Sequence, residues 1–503
     1  FIFSRAVCDA AVKQCLQAGI KLTSAEERLE IITTAQRYTQ NLAEEDLEVL
    51  GYRDWLLALE RGIAAHHAGL LPSFKGAVED LFKHGLVKAV FATETLALGI
   101  NMPARTVVLE KLTKWNGEAH VSITPGEYTQ LTGRAGRRGI DIEGNAVILW
   151  NNDLDSTSVG GLASTRTYPL KSSFKPTYNM SINLISQFGS QRARTSLESS
   201  LAQFQADKAV VGLAKQIRKN ETTRDSLYKD STCHLGNFPE YAQMRGKIKN
   251  LETDGKRHKR KRHEIEEEIG YIRKEMKNHP CHSCPDRENH SRYTEKALRL
   301  QREIDGLSDR INARTNVIAR RFDLIKIILN KFGYIENDTI TKSGKMLAKI
   351  YGETDLLIAE SIRSGVFDEL GPADLVSVIS SFIYESRNDE GDKIPRGVVQ
   401  ESLAKISKIY GNIHEIESEH NLVPMRAPDF GFCWASHRWA SNHSLTSVLK
   451  GTELTVGDFV RSMKQIIDLL RQLRSAAPDL QPVIDQALNK IDRGVIAYSG
   501  AAV

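Results

Sequence analysis

Nowhere in the 503 residues does an apolar run approach the roughly 20 residues that a bilayer-spanning helix requires, so no membrane partner is expected. No signal peptide opens the chain, and a cytoplasmic protein is the expectation. Cysteine is scarce: Cys8, Cys15, Cys233, Cys281, Cys284 and Cys433 are too few for a disulfide framework, which favours a reducing compartment. An excess of one charge sign is lacking too, with 68 Lys and Arg against 63 Asp and Glu. The net +5 admits a nucleic-acid partner without demanding one. Neither G-x-x-x-x-G-K-[ST] nor D-E-x-H occurs, and TKSGKM at 341–346 lacks the first glycine and the preceding strand of a phosphate loop. No internal repeat is present.

What is present reads as ordinary globular protein, 41% hydrophobic and 26% charged. The length suits about three domains. Phe1 opens an apolar, strand-like FIFSR with no initiator methionine, and a truncated chain is expected from it. Through residues 1–150, the apolar runs Ile63–Ala65, Val87–Ala92, Thr106–Leu109 and Ala146–Leu149 alternate with helical stretches. One such helix starts at Pro72 and ends before Gly85. That alternation predicts a parallel sheet covered by helices, with ligands at the carboxyl ends of the strands. Beyond about residue 200 strand signals nearly vanish. Tyr241, Met244, Ile248 and Leu251 recur at helical spacing, as do Ile265, Ile269, Ile272 and Met276, and then Leu300, Ile304, Leu307 and Ile311. Such narrow stripes predict long paired helices, an antiparallel stalk with the HPCHSCPD turn (279–286) between the last two series. Residues 322–355 read as a small helical unit with turns at Gly333 and Ser343–Gly344, and the remainder as helical, broken near 371–372, 421–429, 451–457 and 476–482.

Three segments carry chemistry. In TPGEYTQLTGRAGRRGID (124–141), Thr124, Pro125 and Glu127 form a helix start with a capping box. Gln130, Arg134 and Arg137, at i, i+4 and i+7, are expected on one face of that helix. Two arginines held rigidly there can stabilise the charge developing on a transferred phosphoryl group. FATETLALGINMPART (91–106) places Thr93, Glu94, Gly99 and Asn101 after a buried strand, where hydroxyl, backbone and amide groups can meet a nucleotide or polyanion. HHAGLLP (66–72) sets His67 and Gly69 before a helix N-terminus that can bind phosphate.

With FIFSRAVCD (1–9), these segments resemble motifs IV, IVa, V and VI of superfamily 2 helicases. The wording of ATETLALGINMPARTVV and QLTGRAGRRGID is similar to that of the superkiller-like DExH-box RNA helicases. PLKSSFKPTYNMSINLI (169–185) and GDFVRSMKQIIDLLRQL (457–473) resemble later parts of the same family, while CHLGNFPEYAQMR (233–245) and HPCHSCPDRENHSRY (279–293) look like its actinobacterial HelY-type branch. The resemblance implies an α/β second RecA-like domain (1–165), a winged-helix region (166–204 and 321–355), a helical stalk or arch (205–320) and a C-terminal DSHCT-like helical bundle (356–503). It implies ATP-dependent 3′–5′ movement on RNA in processing or decay, with ATP and Mg²⁺ as cofactors. Their main phosphate and metal ligands are expected in an N-terminal half, so this chain alone is expected to be inactive. Single-stranded or structured RNA is the implied partner, with an RNA-degrading nuclease as a further one.

By the same resemblance, Arg134 and Arg137 match arginine fingers, Gln130 the ATP-site glutamine, and Gly99 and Asn101 positions near the nucleotide. Ser4, Arg5, His67, Gly69 and Thr93 match positions facing the RNA backbone. Asp458, Arg461 and Lys464, opposite the apolar face of Phe459, Met463, Ile466 and Leu470, match a ratchet helix that touches bases.

Two features stand apart. Where family members often carry a small β-barrel, only KRHKRKRH (256–263) lies between the stalk helices. His279, Cys281, Cys284 and His290, with Cys233-His234, could supply four zinc ligands, but Pro280 and Pro285 already explain a tight turn, and no metal is expected there. A DNA-repair helicase of a related branch and a non-catalytic nucleic-acid-binding module are the rival readings.

Overall fold

The computed structural model describes residues 4–94, 102–115, 120–137, 139–152, 154–165, 167–168, 170, 172–257, 262–314, 317–386 and 393–498. They fall into two compact units, one formed by 1–170, 177–187 and 326–503, the other by 171–176 and 188–325. Gly99 and Asn101 lie outside the described residues.

The first unit begins with helices α1 (Arg5–Gln17), α2 (Ala25–Thr39), α3 (Glu44–Val49) and α4 (Tyr52–Glu60), followed by strand β1 (Ile63–His66), helix α5 (Pro72–Lys83) and strand β2 (Ala89–Ala92). β1 and β2 pair in parallel, Ile63 opposite Ala89 and His66 opposite Ala92. Every residue of β1 is buried, as a strand covered on both faces requires. Ile31 and Ala35 of α2 and Val78 and Leu81 of α5 form one core with Leu59, Ala64 and Val90. Each large apolar side chain buried this way is worth about 2 kcal/mol. α5 starts on proline and stops before Gly85, whose φ of +72° is open to glycine without strain. The chain continues through β3 (Thr106–Leu109), the antiparallel hairpin β4 (Thr113–Trp115) and β5 (His120–Ser122), α6 (Pro125–Thr132), β6 (Asn145–Ile148) and α7 (Ser156–Ser164). β3 and β6 make a second parallel pair.

The second unit is helical. α8 (Tyr178–Glu198), interrupted at Gly189, begins in the first unit and ends in this one; α9 (Leu201–Asp230), α10 (Phe238–Arg257), α11 (Arg262–Asn278) and α12 (Arg287–Arg314) follow, and α13 (Val317–Lys331) starts here and ends in the first unit. Gln203 accepts the Ile318 N–H at 3.2 Å while Arg224 donates to Gln301 at 2.6 Å, so α9 runs antiparallel to α12 and the start of α13. Tyr241 bonds His282 at 3.0 Å and Arg273 bonds Glu252 at 2.8 Å, the same antiparallel order for α10 against α11. Ile269, Ile272, Ile304 and Leu307 of the apolar stripes are buried.

The first unit resumes with a hairpin of β7 (Ile335–Glu336) and β8 (Thr339–Ile340), turning on Asn337 and Asp338 at positive φ, and with α14 (Lys342–Leu347). The turn expected at Ser343–Gly344 is therefore absent: both residues lie in α14. Glycine stands at 344 because an added Cβ would sit 2.3 Å from the Tyr334 carbonyl oxygen. Helices α15 (Asp355–Arg363), α16 (Pro372–Ser380), α17 (Val398–Glu419), α18 (Cys433–Ala440), α19 (Leu445–Leu449), α20 (Val456–Ala476), α21 (Gln481–Ile491) and α22 (Gly494–Tyr498) complete it. Trp439 anchors the α20 face: its ring meets Phe459 edge-on at 5.4 Å, and its Nε1 donates to the Ile491 carbonyl at 2.9 Å.

Within this bundle Asp355 is fully buried, and burial raises its carboxyl to about 7 despite N–H bonds from Asn179 and Leu356, both 2.7 Å. The native state keeps the proton to near pH 7, while the unfolded chain releases it near pH 4. The stability Asp355 contributes is thus complete below about pH 4 and lost as pH rises towards 7. Unfolding titrations should show a fall on the order of 3 kcal/mol over that window, absent in Asp355→Asn.

Candidate functional site

The capping box at the head of α6 forms as its sequence dictates: Thr124 Oγ1 accepts the Glu127 N–H at 3.3 Å and Glu127 accepts the Thr124 N–H at 2.8 Å. The expected common helical face does not form. α6 ends at Thr132, so Gln130 is on the helix while Arg134 and Arg137 follow it in a turn. The cause is non-local. Ala104 and Ala135 form a parallel bridge, the Gly136 N–H donates to the Ala104 carbonyl at 2.7 Å, and Gly136 takes a φ of +90°, which no helix can continue through.

This loop is clamped on its other side by Gly144. A Cβ there would lie 2.5 Å from Ala135 C and O and from Gly136 N. Arg137 is held in a fixed pose by Asp141: its Nε and one terminal nitrogen each donate to the carboxylate at 2.8 Å, and its backbone N–H donates at 2.9 Å. Those bonds pull the Asp141 carboxyl down to about 2. The Arg137 side chain is still 40% exposed, so its guanidinium is both oriented and reachable. Gly144→Val should displace this loop, and a shift near 1 Å would lower about a hundredfold any reaction of the full-length protein that depends on the Arg137 guanidinium, with circular dichroism unchanged.

At the carboxyl end of β1 the structure gathers residues far apart in sequence. His67 is buried, with Nε2 3.0 Å from Asp9 and Nδ1 accepting the Gly69 N–H at 3.1 Å. The Gly69 carbonyl accepts the Gly457 N–H from α20 at 3.2 Å. Asp458 is buried, not displayed on the polar face expected of it. It takes two bonds from Arg5, at 3.1 and 2.9 Å, contacts Arg461 at 3.1 Å, and its N–H is capped by Thr455. The amphipathic count placed Asp458 outside; the distant Arg5 pairing draws it in. The His67–Gly69 turn thus meets α20 at Gly457, next in sequence to the Arg5-paired Asp458, while Ser4 and Arg461 are exposed and Lys464 half-buried. Thr93 follows β2, and its N–H donates to the His66 carbonyl at 3.3 Å. Asp9 and Asp141, which orient His67 and Arg137, are not among the candidate site residues of the sequence, although each is the last residue of a motif, FIFSRAVCD and TPGEYTQLTGRAGRRGID.

Parallel strand pairs, a glycine-clamped arginine loop and a following helical bundle are the setting in which two family matches fall, and those matches define a helicase. Residues 12–139 match the helicase conserved C-terminal domain and residues 337–499 the DSHCT (NUC185) domain. The chain is 37% identical to the probable helicase HelY of Mycobacterium tuberculosis, over 99% of this chain and 69% of that protein. It is 23% identical to the exosome RNA helicase MTR4 of Homo sapiens, over 99% of this chain and 62% of that protein. Superkiller complex protein 2 of Mus musculus is 34% identical over 48% of this chain. The HelY alignment spans 625 positions against 503 residues here, so a stretch of the relative has no counterpart in this chain. The chain belongs to the superkiller-like DExH-box helicases, in the branch of the HelY proteins, and the full protein is an ATP-dependent helicase. Among the described residues, no helix is long and apolar enough to cross a membrane.

Proposed function

We propose that the full protein is an RNA helicase of RNA processing or decay, and that this chain supplies its arginine fingers and part of its RNA path. The observation that carries this reading is the Arg137 loop, fixed by Asp141 and by backbone contacts with Ala104 and Gly144. Arg134 and Arg137 act on the charge of the transferring γ-phosphoryl group, and Gln130, on the preceding helix, serves the same ATP site. ATP and Mg²⁺ are held mainly by a phosphate loop and acidic motif that these 503 residues do not contain.

In this reading, Ser4, Arg5, Thr93, Arg461 and Lys464 line the strand's path, and His67, Gly69 and Asp458 form a brace beneath it. Residues 1–165 act as the second RecA-like domain, 166–204 with 321–355 as a winged helix whose wing is the β7–β8 hairpin, 205–320 as a stalk and 356–503 as the bundle. The names of two relatives, an exosome RNA helicase and a superkiller complex protein, support an RNA-degrading nuclease as partner.

The test is nucleic-acid-stimulated ATPase activity, measured for the chain alone and joined to the segment bearing the phosphate loop. The expected result is a silent chain and an active joined protein stimulated by single-stranded RNA. Stimulation by DNA in preference to RNA would move the protein to the repair branch, and no stimulation by either would leave a binding module.

A further inference from the structure

Three buried thiols play no part in the helicase chemistry, and the second unit brings them to one place. Cys233 lies in the turn between α9 and α10; Cys281 and Cys284 lie between α11 and α12. Forty-eight residues separate Cys233 from Cys281, so only the antiparallel packing of these helices unites them. The Cys233 turn is closed by an antiparallel bridge to Gly236, and a Cβ on Gly236 would sit 3.5 Å from Cys281 Sγ. Cys233, Cys281 and Cys284 pack in one buried cluster with Phe238, Tyr241 and Ala242. The donor atoms of Cys233, His234 and Cys284 all lie within 4.8 Å of one another, and His290 Nδ1 is 3.8 Å from Cys284 Sγ.

Cys233, His234 and Cys284 are close enough to share one tetrahedral ion, and Cys281 packs in the same buried cluster. With Zn–S near 2.3 Å and Zn–N near 2.0 Å, neighbouring ligand atoms stand about 3.5–3.8 Å apart. Phe238, Tyr241 and the partly buried Met276 wall the cluster with apolar surface. Soft thiolates with one imidazole in such a setting select zinc over the hard cations that carboxylates bind. A disulfide explains the cluster less well, since any one bond strands a third buried thiol, and all three are free. Two histidines that the spacing also offers have other partners. His279 Nδ1 accepts the Cys281 N–H at 3.2 Å, and His282 Nδ1 bonds Tyr241 at 3.0 Å.

We propose that Cys233, Cys281 and Cys284, completed by an imidazole from His234 or His290, form a structural zinc site that pins together the two turns at this end of the helical unit. The site supplies no catalytic group. It fixes where α9 hands over to α10 relative to where α11 hands over to α12, a job that a core of six residues would do weakly.

The experiment is elemental analysis of the full-length protein, purified without a metal-binding tag, combined with cobalt substitution. About one zinc per chain is expected, and Co²⁺ should give thiolate charge-transfer bands and the visible absorption of a tetrahedral centre. Cys281→Ser and Cys284→Ser should lose the metal. Of His234→Ala and His290→Ala, the one that loses it identifies the fourth ligand. Because a cysteine variant can fail to fold, the wild-type protein is also stripped with a chelator: its thermal midpoint should fall and recover on adding Zn²⁺. Metal-free protein that takes up neither Zn²⁺ nor Co²⁺, or stoichiometric zinc retained by both cysteine variants, would overturn the proposal.

Discussion

Arg137→Ala is expected to lower RNA-stimulated ATP turnover of the full-length protein about a thousandfold, the effect of removing an arginine finger from a phosphoryl-transfer site. In the proposed role the guanidinium acts on charge that appears only in the transition state, so RNA affinity should stay within a few fold. Lysine at 137 should rescue little, because the paired donors that engage the two Asp141 oxygens belong to a planar fork that an ammonium lacks. The comparison that matters is kcat in saturating ATP and RNA for wild type, Arg137→Ala and Arg137→Lys. Turnover kept within tenfold in the alanine variant would remove Arg137 from the reaction.

Gly457→Val is expected to cost about 3 kcal/mol, the upper range for forcing extra atoms into a packed contact. Gly457 lies on Gly69: an added Cβ would stand 2.6 Å from Gly69 C and O and 2.8 Å from the Ala68 carbonyl oxygen. All of these are backbone atoms, so no side chain can rotate away. The strain falls where α20 meets the β1–α5 loop, beside the Arg5–Asp458 pair with its 2.9 Å contact. Denaturant unfolding should show a lower midpoint. RNA stimulation of ATPase activity should fall further than basal activity, since this contact joins the strand-end loop to α20. An unchanged midpoint would mean that the contact is not closed in solution.

Much of this architecture was legible because the signals are local. Continuous apolar runs marked β1, β2, β3 and β6 to within two residues, and Pro72 and Gly85 bracketed α5. Periodicity found three helices of the second unit but not α9, whose Leu201, Phe204 and Val211 are exposed and blur its stripe. The failures have a common cause in contacts across long sequence distances. A helical count after Thr124 runs on through Arg137 because nothing near Gly133 reveals the bridge between Ala135 and Ala104. The same count sets Asp458 on a polar face because Arg5, 453 positions away, is invisible to it. Gly344 suggests a turn in sequence but answers to the crowding of the Tyr334 carbonyl. Glycine signals constraint, but the sequence alone does not say whether a turn or a close approach imposes it.

The most direct test of the central claim is strand displacement by the full-length protein on duplexes with a 3′ overhang, the overhang being RNA or DNA. ATP-dependent unwinding from the RNA overhang, at least tenfold faster than from DNA and abolished by Arg137→Ala, is the predicted result. Unwinding that prefers DNA, or that survives Arg137→Ala, would contradict the account.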